Sequence, residues 1–290
     1  MSLFVFKHSG TDERVGQSRS ELPRRDIFIW AAAILFVNQL LVVLKEMPSS
    51  SVAKLVSDLC AVGMFQYMAW GVIFRLLSLS SPMPAARLQD FLTATTFCLL
   101  ILLPVSQTIW VAATGIAVYF WRFNAGDLKL QAAGIVLVAL SVQQFWGHFF
   151  FDLIALPVLR VETALVGTLL EVTRAGTAWQ DNVISGRDSH GIVIYPYCSS
   201  FHNLSLALLC WVTVTKFRNQ NWARRDFLVG GIVGGTMILF NVARLYLMAL
   251  DIDLYHYWHE GTGLEIFSVA ASVTIILLSL YGSRPAGQQI

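Results

Sequence analysis

Apolar runs separated by short polar segments dominate the pattern of this chain; they fall at residues 27–44, 52–79, 91–120, 130–151, 199–214, 227–250 and 263–281. Uninterrupted stretches of this kind mark membrane spans, because a helix rising about 1.5 Å per residue needs about 20 residues to cross a hydrocarbon core of about 30 Å. The run 91–120 is too long for one crossing, since it would extend about 45 Å as a helix. Pro104 interrupts it near the middle, so it reads as two short spans meeting near residues 104–108. The pattern predicts an all-α polytopic membrane protein of about eight transmembrane helices.

The polar stretch between the fifth and sixth spans has periodicities of its own. From Pro157 to Arg174, apolar residues recur at 158, 161, 165, 169 and 172. That spacing predicts a helix with one apolar stripe, suited to lying on a membrane surface. Residues 179–184 and 192–195 read as two short strands around Ser185-Gly186-Arg187-Asp188, a hairpin that delivers the chain to Cys198.

Charge supplies direction. Arg24 and Arg25 precede the first run, and further basic groups fall at Arg87, at Arg122 and Lys129, at Lys216, Arg218, Arg224 and Arg225, and at Arg284. By the positive-inside rule these segments are cytoplasmic, which puts both termini inside and Cys198 outside. Lys54, Asp58 and Arg75 lie near the ends of the second run, where long side chains can snorkel. The predicted organisation is a cytoplasmic tail (1–26), a single transmembrane domain (27–281) with an extracytoplasmic insert (151–197), and a short cytoplasmic tail (282–290). The chain is expected as a multi-pass protein of the cell (inner) membrane, in contact with membrane lipids, without a cleaved signal peptide.

Composition agrees with this. Of 290 residues, 56% are hydrophobic and only 13% charged, too few to clothe a soluble domain of this size. The net charge of +2 carries no implication of nucleic-acid binding. None of the four cysteines (Cys60, Cys98, Cys198, Cys210) has a CxxC spacing, and all but Cys198 lie inside apolar runs. A disulfide framework and a zinc site are both disfavoured.

The residues able to do chemistry converge on the outer face. Cys198 follows Tyr195-Pro196-Tyr197 and is expected to open the sixth span, where unpaired N–H groups and the positive end of the helix dipole suit a reactive thiol. Arg244 lies about 9 Å inside the outer end of the seventh span. An arginine at that depth needs a partner or a function, unless it snorkels to the interface. Asn241 sits one turn away on the same face, while Gly230-Gly231 and Gly234-Gly235 give two GxxxG spacings for close helix packing. His259 lies in Tyr255-His256-Tyr257-Trp258-His259-Glu260-Gly261-Thr262-Gly263, where the aromatics suit a membrane interface and the glycines admit a side chain close to His259. His256, His259 and Glu260 lack a third metal ligand at usable spacing, so no metal is expected. His202, four residues after Cys198, is the alternative base. His148 and Asp152 could line the same cavity; His190 and His8 read as solvated.

Cys198-Ser199, Asn241-Val242-Ala243-Arg244, and His259 followed four residues later by Gly263 together resemble the exosortase/archaeosortase family of polytopic membrane transpeptidases, over about residues 155–281. That family usually has Cys-Ser-Gly where this chain has Cys198-Ser199-Ser200. The resemblance implies a cysteine peptidase or transpeptidase that needs no cofactor. Its partners would be exported proteins carrying a C-terminal motif, a transmembrane helix and a basic tail, with an amine or water as acceptor. It implies Cys198 as nucleophile, Arg244 as electrostatic stabiliser and His259 as acid and base, with Asn241, Ser199 and His202 in support. A small transporter or channel built around Arg244 and Asn241 is the alternative from another class, and a histidine-dependent membrane acyltransferase a second.

Overall fold

The computed structural model describes residues 23–46, 63–80, 86–103, 106–123, 126–174, 176–186 and 190–283. Expectations for His8, Lys54, Asp58, Cys60 and Pro104 lie outside the described residues. Ten α-helices are described: α1 (Arg24–Glu46), α2 (Met64–Ser78), α3 (Leu88–Leu102), α4 (Ser106–Phe123), α5 (Leu128–Ser141), α6 (Gly147–Thr173), α7 (Ser200–Arg218), α8 (Arg224–Leu250), α9 (Ile252–His259) and α10 (Thr262–Gly282). A π-helical turn (Val142–Trp146) joins α5 to α6, and three short strands, β1 (Ala178–Gln180), β2 (Val183–Ser185) and β3 (Gly191–Val193), precede a 3₁₀ turn at Pro196–Cys198. Among the described residues, four helical stretches are long and apolar enough to cross a membrane: Arg25–Val42, Leu128–Thr173, Arg224–Leu250 and Thr262–Gly282. The protein is a helical membrane protein with several passes.

Local chemistry marks where the helices begin and end. The first N–H groups of a helix have no partner within it and donate readily to a carboxylate. Asp26 lies in the first turn of α1. The Asp90 carboxylate accepts from Arg87 N, Asp127 from Lys129 N and Leu130 N, and Asp226 from Ala223 N. At the other polarity, Arg218 and Asn219 donate to the Leu280 and Ser283 carbonyls at the end of α10 (2.9 and 3.2 Å), and cations suit helix C-termini. Lys216, fully buried, donates to Gln220 O and lies 3.5 Å over the Trp222 ring.

The run 91–120 forms two helices, α3 and α4, that fold back on each other. Along a continuous helix Phe97 and Gly115 would stand about 27 Å apart. Instead a Cβ on Gly115 would strike the Phe97 ring, and Tyr119 Oη donates to the Asp90 carboxylate. Polar side chains also tie the first helices together. Gln39 donates to Gln66 and Gln66 to Gln143 of the π turn, while Trp70 Nε1 donates to Gln39 (3.0, 3.2 and 2.6 Å).

The surface helix expected from Pro157 is not separate. α5, the π turn and α6 form one helix of 46 residues, with Pro157 inside it. No glycine lies between Phe151 and Pro157 to end the helix, and a proline inside a helix can bend it without ending it. The predicted stripe does face outward: Val161, Leu165, Leu169 and Val172 are exposed, while Leu159, Val166 and Leu170 are buried. The hairpin is corrected as well. The predicted first strand is itself folded in two, because Asp181, at φ 53°, and Asn182 form a tight loop between β1 and β2. The sheet is antiparallel in the order β1-β2-β3. Ile184, Ile192 and Ile194 bury into a second core with Leu159, Val166, Val242, Leu245 and Met248, which fixes the sheet on α6 and α8.

Helix α8 organises the C-terminal half. It runs antiparallel to α7, since Gly230 meets Trp211, Gly234 meets Leu204 and Asn241 meets Asn203. Only one of the two GxxxG spacings is used. A Cβ on Gly230 would lie 2.7 Å from the Trp211 ring, whereas Gly231 and Gly235 face open space. Gly230→Leu is therefore expected to cost about 1–3 kcal/mol by overpacking, and Gly231→Leu close to nothing. Thermal unfolding of the two variants in detergent checks this contrast.

Candidate active site

The 3₁₀ turn, α8 and α9 meet at the end of the bundle opposite Lys216, Arg218 and Arg225. Cys198 does not open α7. Pro196 starts the 3₁₀ turn, Cys198 ends it, and Ser199 is the N-cap of α7, its Oγ accepting from Phe201 N at 3.3 Å. Serine is the better cap, which leaves the cysteine one position outside the helix. The Ser200 N–H is taken by Glu162, whose Oε1 accepts it at 2.6 Å. The expected contact of Cys198 with unpaired helix N–H groups is thus replaced by Ser199 and Glu162.

Cys198 Sγ instead lies 4.0 Å from His259 Nε2. Both residues are half-buried. His259 ends α9, a short helix N-capped by Asp251, which accepts from Leu254 N at 2.8 Å. Its ring stacks on Tyr255, one turn earlier, with centroids 4.9 Å apart and planes at 11°. That stacking and the α9 backbone set the imidazole's direction.

Two side chains of α8, one turn apart, hold both halves of this pair. Asn241 is fully buried, donates to Cys198 O at 2.9 Å, and accepts from Asn203 at 3.3 Å. Arg244, 8% exposed, does not snorkel. Its Nε donates at 3.1 Å to the carbonyl of Trp258, the residue before His259, and its guanidinium lies 5.2 Å over the Phe267 ring. Arg244 is also within electrostatic reach of Cys198. Hydrogen bonds from charged or buried groups of this kind each contribute about 1–3 kcal/mol. The arrangement places a thiol beside an imidazole, with a buried cation close by.

The other candidates fall differently. His202 lies in the first turn of α7, with its side chain outside the described residues. His148 and Asp152 are exposed on α6, about 21 and 15 Å along the helix from Glu162. His256 pairs with Glu260 at 2.6 Å, and both are exposed. His190 is not merely solvated, since its Nε2 lies 3.0 Å from Met248 O and its ring meets Tyr255 edge-on. The glycines after His259 serve the backbone rather than the imidazole. A Cβ on Gly261 or Gly263 would strike Tyr257 O at 2.9 or 2.7 Å, so they let α10 start close against α9.

Sequence reasoning missed Glu162, Tyr255 and Asn203. The available signals were a lone carboxylate between apolar 161 and 165, an aromatic four residues before the histidine, and an amide facing Asn241. Comparison of the chain with protein-family models, curated proteins and solved structures finds no match.

Thiol accessibility follows from burial. Cys198 is half-buried at a polar boundary, and Cys210 is fully buried. A maleimide applied to the detergent-solubilised protein is expected to label Cys198 and leave Cys210 unmodified until the protein is unfolded. Labelling that persists at full level in Cys198→Ser contradicts this.

Proposed function

We propose that this chain is a membrane-embedded cysteine transpeptidase or endopeptidase of the exosortase/archaeosortase kind, acting on exported proteins at the outer face of the cell membrane. The observation that carries the reading is the Cys198–His259 contact, held from both sides by Asn241 and Arg244 on one turn of α8. A nucleophile and a base within reach of each other, each positioned by a further group, is the arrangement nucleophilic catalysis requires.

The substrate is an exported protein ending in a short motif, a transmembrane helix and a basic tail. His259 takes the Cys198 proton as Sγ attacks the scissile carbonyl carbon. The developing oxyanion faces the Arg244 charge, in surroundings where such stabilisation is strong. Collapse of the tetrahedral species breaks the C–N bond; His259 returns the proton to the leaving amine, and the motif remains as a thioester on Cys198. An acceptor amine or water then loses a proton to His259, attacks the thioester and restores the thiol.

The topology belongs to the same proposal: about eight spans, with both termini cytoplasmic. α7 enters this count although it carries His202, Asn203, Ser205 and two basic residues, because it packs among α2, α5, α8 and α10 and needs less apolar surface toward lipid. Basic residues at the far end of α7 and α8, and the cysteine site at the near end, fit a membrane between them. For the transporter alternative, Arg244 and Asn241 would line the path, but they bond the Trp258 and Cys198 carbonyls at one end of the bundle.

Cys198→Ala is expected to leave the full-length precursor uncut while the variant accumulates normally, read by immunoblot of precursor and product. Arg244→Lys keeps a charge but loses the fork that reaches Trp258 O, and should lower cleavage by about a hundredfold. Unchanged processing in Cys198→Ala overturns the assignment.

A further inference from the structure

Glu162 is the strongest unexplained group in the molecule. It is 4% exposed on α6, between the apolar Val161 and Leu165. One carboxylate oxygen accepts Ser200 N at 2.6 Å. The other, Oε2, makes no hydrogen bond of normal geometry among the described residues, although the Ser200 hydroxyl lies within reach of the carboxylate. An orphaned buried carboxylate oxygen costs several kcal/mol unless something else supplies a donor. Both residues line a cavity of about 350 Å³ between α6, α7 and α8, whose remaining walls are apolar, among them Val161, Leu165, Leu204 and Ile238. Val161 and Leu165 are exposed on the outer side of α6 and continue the apolar line toward Leu169 and Val172.

The free oxygen needs a donor that arrives with apolar surroundings. A transmembrane helix whose C-terminus is cytoplasmic offers this at its outer end. Its first N–H groups have no partner within the helix, they carry the positive end of the dipole, and the side chains below them are apolar. A carboxylate has acceptor sites for more than one such donor. Glu162 already serves the first N–H of α7 in this way.

We propose that Glu162 caps two helix N-termini at once: α7 through Oε1, and the transmembrane helix of the substrate's sorting tail through Oε2, with that helix seated in the cavity between α6, α7 and α8. This rests on the cleavage reading above and adds the docking site of the substrate helix. It also gives the register. Cys198 stands two residues before Ser200, at the start of α7, and the scissile bond stands just before the start of the tail helix. One carboxylate bridging both helix starts brings the bond and the thiol to the same level. Glu162 is here a binding and positioning residue and takes no part in proton transfer.

The test uses the full-length protein in membranes with a tailed substrate. A photo-crosslinking side chain at position 238, in the Cys198→Ala background, is expected to capture the first turn of the substrate's tail helix, while the same group at the lipid-exposed position 30 captures none. Glu162→Gln keeps an acceptor for Ser200 N but loses the charge. It should raise KM roughly tenfold with kcat changed less than about twofold. Capture at position 238 no stronger than at position 30, or a fall in kcat with KM unmoved, overturns the docking proposal. Cleavage by the unmodified protein is followed in parallel. Cleavage without capture removes the docking site alone, whereas capture at 238 without cleavage removes the peptidase reading and leaves the docking site standing.

Discussion

A buried polar group must find a partner, and in a bundle made almost wholly of apolar side chains partners are scarce. Asn241 and Arg244 meet this constraint by reaching in two directions from one turn of α8. The amide takes the carbonyl of Cys198, and the guanidinium takes the carbonyl just before His259. Neither bond is made to the thiol or the imidazole. Each holds the backbone that carries them, so the spacing of thiol and imidazole follows from a single helical turn. Relative rotation of α7 or α10 against α8 leaves that spacing largely unchanged, because both halves hang from the same support.

The rest of the fold keeps that turn in place. Gly230 and Gly234 let α7 lie close against α8, and the second core under the strands fixes α6 and the cysteine-bearing turn on its C-terminal third. Aspartates begin α1, α3, α5 and α8, and basic side chains close the end of α10. These are low-cost satisfactions of helix ends. They gather at the end of α7 and α8 remote from Cys198, which leaves the opposite end for strands, the 3₁₀ turn and the short helix α9.

Much of this was legible in the sequence because it depends on local pattern. Apolar runs located the helices, Pro104 and simple length divided the run 91–120, and the depth of Arg244 in its span marked it as needing a partner. The identity of that partner was not legible. A backbone carbonyl leaves no trace in residue types, so Trp258 O and Cys198 O could not be anticipated. The short helix α9 was hidden behind its aromatics, although Asp251 is an ordinary cap for it. Glu162 was passed over because its burial depends on α7 arriving from forty residues away. The surface helix was misread where periodicity says nothing about continuity, since a stripe shows which side is apolar and not where a helix starts.

That continuity has a mechanical side. With α5, the π turn and α6 joined, the rod from Leu128 to Thr173 is 46 residues long and spans about 69 Å, more than twice the hydrocarbon thickness. Helices answer a change in bilayer thickness by tilting. A tilt of about 10° about its N-terminal end carries the far end of such a rod sideways by about 12 Å, unless the π turn or Pro157 bends to absorb it. Glu162 sits on the outer part of that lever, and the strands ride on it. A change in lipid thickness that tilted the rod would therefore be felt beside Cys198, softened by the two joints along the way, the π turn and Pro157.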